Sequence, residues 1–235
     1  MINQKKIIVT GSSSGIGNAI SKTIVKNKIK VIGLSRNSNK NIISSKYFQS
    51  IEIDLSDVKT LPKKIEKIIN DNEDIDGLIS CAGIGYFGNI ENFSVDQILS
   101  SININLLSHI IITKYLVPFF KKKNKGKLVY IGSESALDGG KKGSLYSAAK
   151  FGLRGFTQSI RAEVASKNIT ITIINPGMVK TNFFDNLDFQ PGSSKKNSII
   201  VQDITKVVMN ILQMDSNTNI DEVTINPLIK SIIKK

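Results

Sequence analysis

Two patterns of apolar residues alternate along the chain. Short unbroken runs, Lys6 to Thr10, Ile29 to Leu34, Ile75 to Ser80, Leu128 to Ile131 and Ile169 to Ile174, read as strands buried on both faces. Phe48 to Ile53 alternates like a strand with one wetter face, and Glu222 to Asn226 closes the set. Between them, apolar positions recur at helical spacing: Ile16, Ala19, Ile20 and Ile24; Leu61, Ile65, Ile68 and Ile69; the long stretch Ser94 to Val117; Tyr146 to Ser166; and Asp203 to Met214. Ser94 is placed to cap its helix, Pro118 lies near that helix's end, and Pro62 is tolerable because it falls in a first turn. Strand and helix therefore take turns, the order of an open α/β sheet.

At 235 residues the chain is expected to form one domain, 1–235, with room for a sizeable core. Apolar content of 40% and charged content of 22% are ordinary for a globular protein. No unbroken run reaches the ~18 apolar residues of a membrane span, and no signal-peptide pattern opens the chain, so a cytoplasmic location is expected. One cysteine, Cys81, and one histidine, His109, exclude an internal disulfide and a Cys/His zinc site; no metal is expected.

The net charge of +13 raises the question of nucleic acid or an anionic membrane. Only three of the 32 basic residues are arginine, and the lysines are spread along the whole chain. That is a compositional bias and not a base-reading surface, so neither nucleic acid nor membrane is expected as a partner. The densest run, Lys121 to Lys125, reads as a solvated loop.

Chemistry concentrates at Tyr146-Ser147-Ala148-Ala149-Lys150, where Tyr146 and Lys150 leave one helix face a turn apart. An ammonium beside a phenol favours the phenolate and suits it to general acid/base work. A Tyr–Lys pair is weak evidence in a lysine-rich chain. The context strengthens it, because Gly132-Ser133 ends an apolar strand, where ligands bind in open α/β sheets. Thr10-Gly11-Ser12-Ser13-Ser14-Gly15-Ile16-Gly17 is a second such context. A glycine loop between strand and helix lets a pyrophosphate approach exposed N–H groups at the helix N-terminus. Ser35 ends the second strand where an acidic residue would bond the ribose hydroxyls of NAD, and Arg36 follows; a guanidinium suits a phosphate, so NADP(H) is expected over NAD(H).

Ser133, Tyr146 and Lys150 at this spacing, with the G-x-x-x-G-x-G loop, resemble the short-chain dehydrogenase/reductase family. The resemblance runs from about Lys5 to Pro227 and implies a Rossmann-type doubly wound parallel sheet of about seven strands with helices on both faces. It implies catalytic roles for Ser133, Tyr146, Lys150 and Asn105, the last in Asn103-Ile104-Asn105-Leu106-Leu107 with Asn103 as fallback, holding a water that joins Lys150 to solvent. For the cofactor it implies Gly11, Ser12, Ser14, Gly15, Ile16 and Gly17; Ser35 and Arg36; Asp54 and Leu55 beside the adenine; Ala82 and Gly83; Tyr146 and Lys150; and Pro176, Gly177, Val179 and Thr181 beside the nicotinamide. Ser80-Cys81 departs from the family's usual Asn-Asn before Ala-Gly. His109 reads as structural.

By the same resemblance, the chain interconverts a small-molecule carbonyl and an alcohol as a homodimer or homotetramer, with residues 182–200 as a substrate lid. The ending Asp221 to Pro227 resembles the subgroup acting on small polar substrates such as 3-hydroxy acids and lacks the glycine-rich ending of the 3-oxoacyl ketoreductases, which remain the alternative. An NADP(H)-sensing protein without catalysis is the alternative of another class. Such proteins usually lose the Tyr or Lys, and both are present here.

Overall fold

A computed structural model describes residues 5–37, 43–215 and 217–235. Its centre is a seven-stranded parallel sheet in the order β3-β2-β1-β4-β5-β6-β8, formed by Lys6–Thr10 (β1), Lys30–Ser35 (β2), Phe48–Glu52 (β3), Ile75–Ser80 (β4), Gly126–Ile131 (β5), Ile169–Pro176 (β6) and Glu222–Ile225 (β8). The order reverses between β1 and β4, which opens a crevice at the carboxyl ends of these strands.

The apolar runs sort cleanly by face. In β1, Ile8 joins one buried cluster while Ile7 and Val9 join the other; in β5, Leu128 and Tyr130 face one way, Val129 and Ile131 the other. Helices Gly15–Lys26 (α1) and Val201–Gln213 (α6) cover one face; Leu61–Asn70 (α2), Ser108–Lys123 (α4) and Ser144–Val164 (α5) cover the other. This is the doubly wound arrangement expected.

Two departures bear on the site. The stretch read as one helix from Ser94 starts with a full capping box between Ser94 and Gln97, runs as Val95–Ile102 (α3), and then widens into a π-helical turn, Asn103–Leu107, before α4. Pro118 sits inside α4, which continues to Lys123 and ends at left-handed Asn124. From Val95 to Lys123 the helix is long and apolar enough to cross a membrane by length and composition alone. Here it is a packed element, with Ile112, Leu116 and Phe120 fully buried in the core. The second departure is at residues 182–200, which look aperiodic in sequence. They contain short 3-10 turns and a strand, Phe189–Pro191 (β7), that pairs antiparallel with a C-terminal strand, Ile232–Lys234 (β9).

Candidate active site

The crevice at the strand ends is a cleft of about 950 Å³. One wall is the loop between β1 and α1. Gly11 (φ +69°) and Gly15 (φ +53°) take left-handed conformations, and a Cβ on Gly17 would collide with the Gly11 carbonyl. The loop therefore brings backbone within reach of a ligand only because these positions are glycine. Gly11, Ser14, Gly15, Ile16 and Gly17 line the cleft at the N-terminus of α1, an electropositive end suited to a pyrophosphate. Ala82 and Gly83 form the floor. Thr10 fixes that floor, its hydroxyl accepting from the N–H groups of Cys81 (2.8 Å) and Ala82 (3.0 Å). Pro176, Gly177, Val179 and Thr181, after β6, line the remaining cofactor side. An open cradle that a Cβ would fill fits a dinucleotide.

The other wall carries Ser133, Tyr146 and Lys150, all buried and all facing the cleft. The Ser133 hydroxyl accepts from the Ser135 N–H at 3.1 Å and stands beside the Tyr146 phenol, where it favours the ionised form. Lys150 Nζ donates to the Ile131 carbonyl at 3.0 Å and lies 5.6 Å from the centre of the Tyr146 ring. Burial pushes the Lys150 ammonium down to about 8. Burial also pushes the Tyr146 phenol up to about 12, with the Ser133 hydroxyl opposing. This corrects the expectation of a phenol lowered by Lys150: spacing along a helix announces a neighbouring charge, but the loss of hydration in a closed site dominates. Tyr146 thus rests as the neutral phenol, the proton-donating form.

Asn105 is fully buried in the π-helical turn, and its amide pairs twice with one residue: Oδ1 accepts from Ile84 N–H (3.0 Å) and Nδ2 donates to Ile84 C=O (2.9 Å). A Cβ on Gly83 would touch both Asn105 Oδ1 (2.9 Å) and Lys150 Nζ (3.8 Å), so Asn105 stands just behind the lysine. Asn103 points elsewhere, donating to the Ser56 carbonyl. One turn on, His109 Nε2 lies 3.0 Å from the Ala82 carbonyl and Nδ1 lies 2.6 Å from the Ser80 hydroxyl. A carbonyl can only accept, so Nε2 carries the proton and Nδ1 accepts from Ser80. His109 and Ser80 thereby brace the Ala82 floor where the family's usual asparagines are missing.

Several expected cofactor residues do not face the cleft. Ser12 is wholly buried; its N–H donates to Leu34 C=O, its carbonyl accepts from Asn18 Nδ2, and its hydroxyl lies against Gly33. Leu55 belongs to the core cluster around α2. Asp54 is exposed and folds back on the Ser56 N–H (2.9 Å) and hydroxyl (2.7 Å). Ser35 is buried at the end of β2 and Arg36 is exposed just beyond it, outside the main cleft. Sequence reasoning in turn missed Thr10, the ring of Phe87, and the C-terminal residues Lys230, Ser231, Ile232 and Lys234 that reach the cleft, while Phe183 and Phe189 fall in the segment read as the lid. Thr10 could have been suspected from its place at a strand end. The others come from aperiodic segments brought together only by tertiary pairing.

Comparison with known proteins agrees with this geometry. Residues 5–191 match the short chain dehydrogenase family, and the chain belongs to it. It is 35% identical over 191 residues to the 3-oxoacyl-[acyl-carrier-protein] reductase FabG of Buchnera aphidicola subsp. Acyrthosiphon pisum, covering 80% of this chain and 78% of that one. It is 30% identical over 242 residues to the NADP-dependent 3-hydroxy acid dehydrogenase of Schizosaccharomyces pombe, covering 96% and 93%. Among solved structures, the alcohol dehydrogenase from the archaeon Thermococcus sibiricus complexed with 5-hydroxy-NADP shares the fold, with a TM-score of 0.83 at 20% identity over 95% of this chain and 97% of that one.

Proposed function

We propose that the protein is an NADP(H)-dependent oxidoreductase that interconverts a small-molecule carbonyl and its alcohol. The observation that carries this reading is that Ser133, Tyr146 and Lys150 converge on the wall of the cleft facing a glycine cradle fit for a dinucleotide. Bound NADPH supplies the hydride to the carbonyl carbon, and in the reverse direction NADP⁺ accepts it.

The protein's own groups supply the rest. Ser133 hydrogen-bonds the carbonyl oxygen and holds it beside Tyr146, which gives that oxygen its phenolic proton. The phenolate left behind is stabilised by the Ser133 hydroxyl and by the nearby Lys150 charge. Lys150 would also hold the ribose of a bound nicotinamide nucleotide. Asn105, its amide held by the Ile84 backbone, would position a water that returns protons to Lys150 from solvent. Proton transfer of this kind contributes ~10²–10⁴ in rate, and positioning supplies the remainder.

Arg36, exposed at the end of β2 with neutral Ser35 before it, supports NADP(H) over NAD(H), as does the yeast relative's name. That relative also supports a small hydroxy acid or oxo acid as substrate, whereas the Buchnera relative supports a 3-oxoacyl compound as the second reading. Residues 182–200 act as the lid of the single domain. On α5, exposed Phe151 and the open space beside Gly155 support a homodimer or homotetramer through that face. A cytoplasmic location goes with this role.

The experiment is a fluorescence titration with NADPH and NADH, repeated on Arg36→Ala. NADPH should bind at least ~10-fold more tightly, a margin of ~1.4 kcal/mol, and the variant should lose it. Equal binding of both nucleotides by the unaltered protein would remove Arg36 from the account, and binding of neither would remove the cofactor site.

A further inference from the structure

Three phenylalanines from three separate segments line the cleft on the side of the Tyr146 ring. Phe87, beyond β4, lies 5.2 Å from the Tyr146 ring centre; Phe183, beyond β6, lies 5.9 Å from it; and Phe189, on β7, stands edge-on to Phe87 at 5.0 Å. Phe184 is buried behind them, 5.3 Å from Phe183 and 5.8 Å from Phe189, and fixes both. Gly85 keeps the rings close, since a Cβ there would stand 2.7 Å from Phe183 and 2.9 Å from Phe87. Phe87, Phe183 and Phe189 are only partly covered, and each lines the cleft. Their uncovered surface is therefore available to a ligand in the cleft.

The charged groups on this side sit differently. Lys141, Lys142, Lys230 and Lys234, with the carboxylates Asp138 and Asp188, line the cleft but are exposed, and Lys230 is paired with Glu134 at 2.5 Å. Exposed charges are screened and discriminate weakly, whereas a pre-formed apolar wall discriminates by each methylene it covers. The rings therefore set the selection.

Resting on the carbonyl-reductase reading above, we infer that the substrate carries an apolar arm, alkyl or aryl, on one side of its carbonyl, held by Phe87, Phe183 and Phe189 against Tyr146. A substrate with only a methyl group on that side leaves the rings facing water. The polar end of a 3-oxo compound then points away from them, toward the exposed lysines.

The test is a series of 3-oxo esters that differ only in the arm: ethyl acetoacetate (methyl), ethyl butyrylacetate (propyl) and ethyl 4-phenylacetoacetate (benzyl). Two readouts are taken, kcat/KM for NADPH oxidation and the dissociation constant of each ester from the enzyme–NADPH complex by quenching of bound-cofactor fluorescence. The propyl and benzyl esters should show kcat/KM at least ~10-fold higher, and dissociation constants at least ~10-fold lower, than the methyl ester. In Phe183→Ala, and in the milder Phe183→Leu should the alanine variant fail to fold, the propyl-to-methyl ratio should fall toward unity. Binding that does not depend on the arm, or a ratio unchanged in the variant, overturns the inference. Arm-graded binding without turnover leaves it standing and refutes the activity reading alone.

Discussion

Replacing His109 with glutamine should change how stability depends on pH more than it changes stability at neutrality. His109 is 1% exposed, donates from Nε2 to Ala82 and accepts at Nδ1 from Ser80, so it must be neutral to keep both bonds. Burial, with the Lys150 charge adding to it, holds its pKa near 3 against 6.5 when exposed. A folded pKa below the unfolded one means that the unfolded chain takes up the proton first. The stability from a neutral His109 is thus complete above about pH 6.5 and is lost as pH falls toward 3. Between about pH 7 and about pH 5 this single site should cost the wild type ~2 kcal/mol, a large share of a typical ~5–15 kcal/mol. Glutamine can donate to Ala82 and accept from Ser80 but cannot titrate. At neutrality His109→Gln should lose only ~1 kcal/mol from imperfect geometry. Urea unfolding at the two pH values measures both proteins, and the gap between them should close or reverse at the lower pH. A gap that stays constant would show that His109 does not titrate with folding, and the tautomer argued from its contacts would be wrong.

Other outcomes follow from the same contacts. Gly17→Ala forces a Cβ onto the Gly11 carbonyl, which must move. At ~1–3 kcal/mol of strain in the cradle, NADPH affinity should drop by ~10-fold or more, with the main sheet intact by circular dichroism. In the reductive direction, kcat/KM should decline as pH rises through about 8, where Lys150 loses its charge, while Tyr146 stays protonated up to about 12. A profile flat to pH 10 would contradict the burial assigned to Lys150.

How much of this could be read from the chain depends on the range of the interactions. Strands buried on both faces announce themselves as unbroken apolar runs, and β1, β2, β4, β5 and β6 were legible for that reason. That Tyr146 and Lys150 share one helix face was legible because a helix places residues four apart together. The π-helical turn around Asn105 was not, because one residue of widening leaves no mark on the apolar pattern. Strands β7, Phe189–Pro191, and β9, Ile232–Lys234, are very short and pair with each other from separate segments, so neither has a local signature. That the Ser12 side chain turns inward was not legible, because a glycine-rich loop signals backbone exposure without saying which side chains do so. The direction of the Tyr146 shift was missed because it depends on burial by Phe87 and Phe183, which lie far away in sequence.

The central claim is that Tyr146 supplies the proton in carbonyl reduction within a cofactor-binding cleft. Single-turnover oxidation of bound NADPH on mixing with a reducible 3-oxo ester tests it most directly, comparing the wild type with Tyr146→Phe after fluorescence has shown that both bind the cofactor. The account predicts that the variant keeps NADPH affinity and slows the reaction by at least ~10²-fold. A variant that binds NADPH and oxidises it at the wild-type rate would contradict the account.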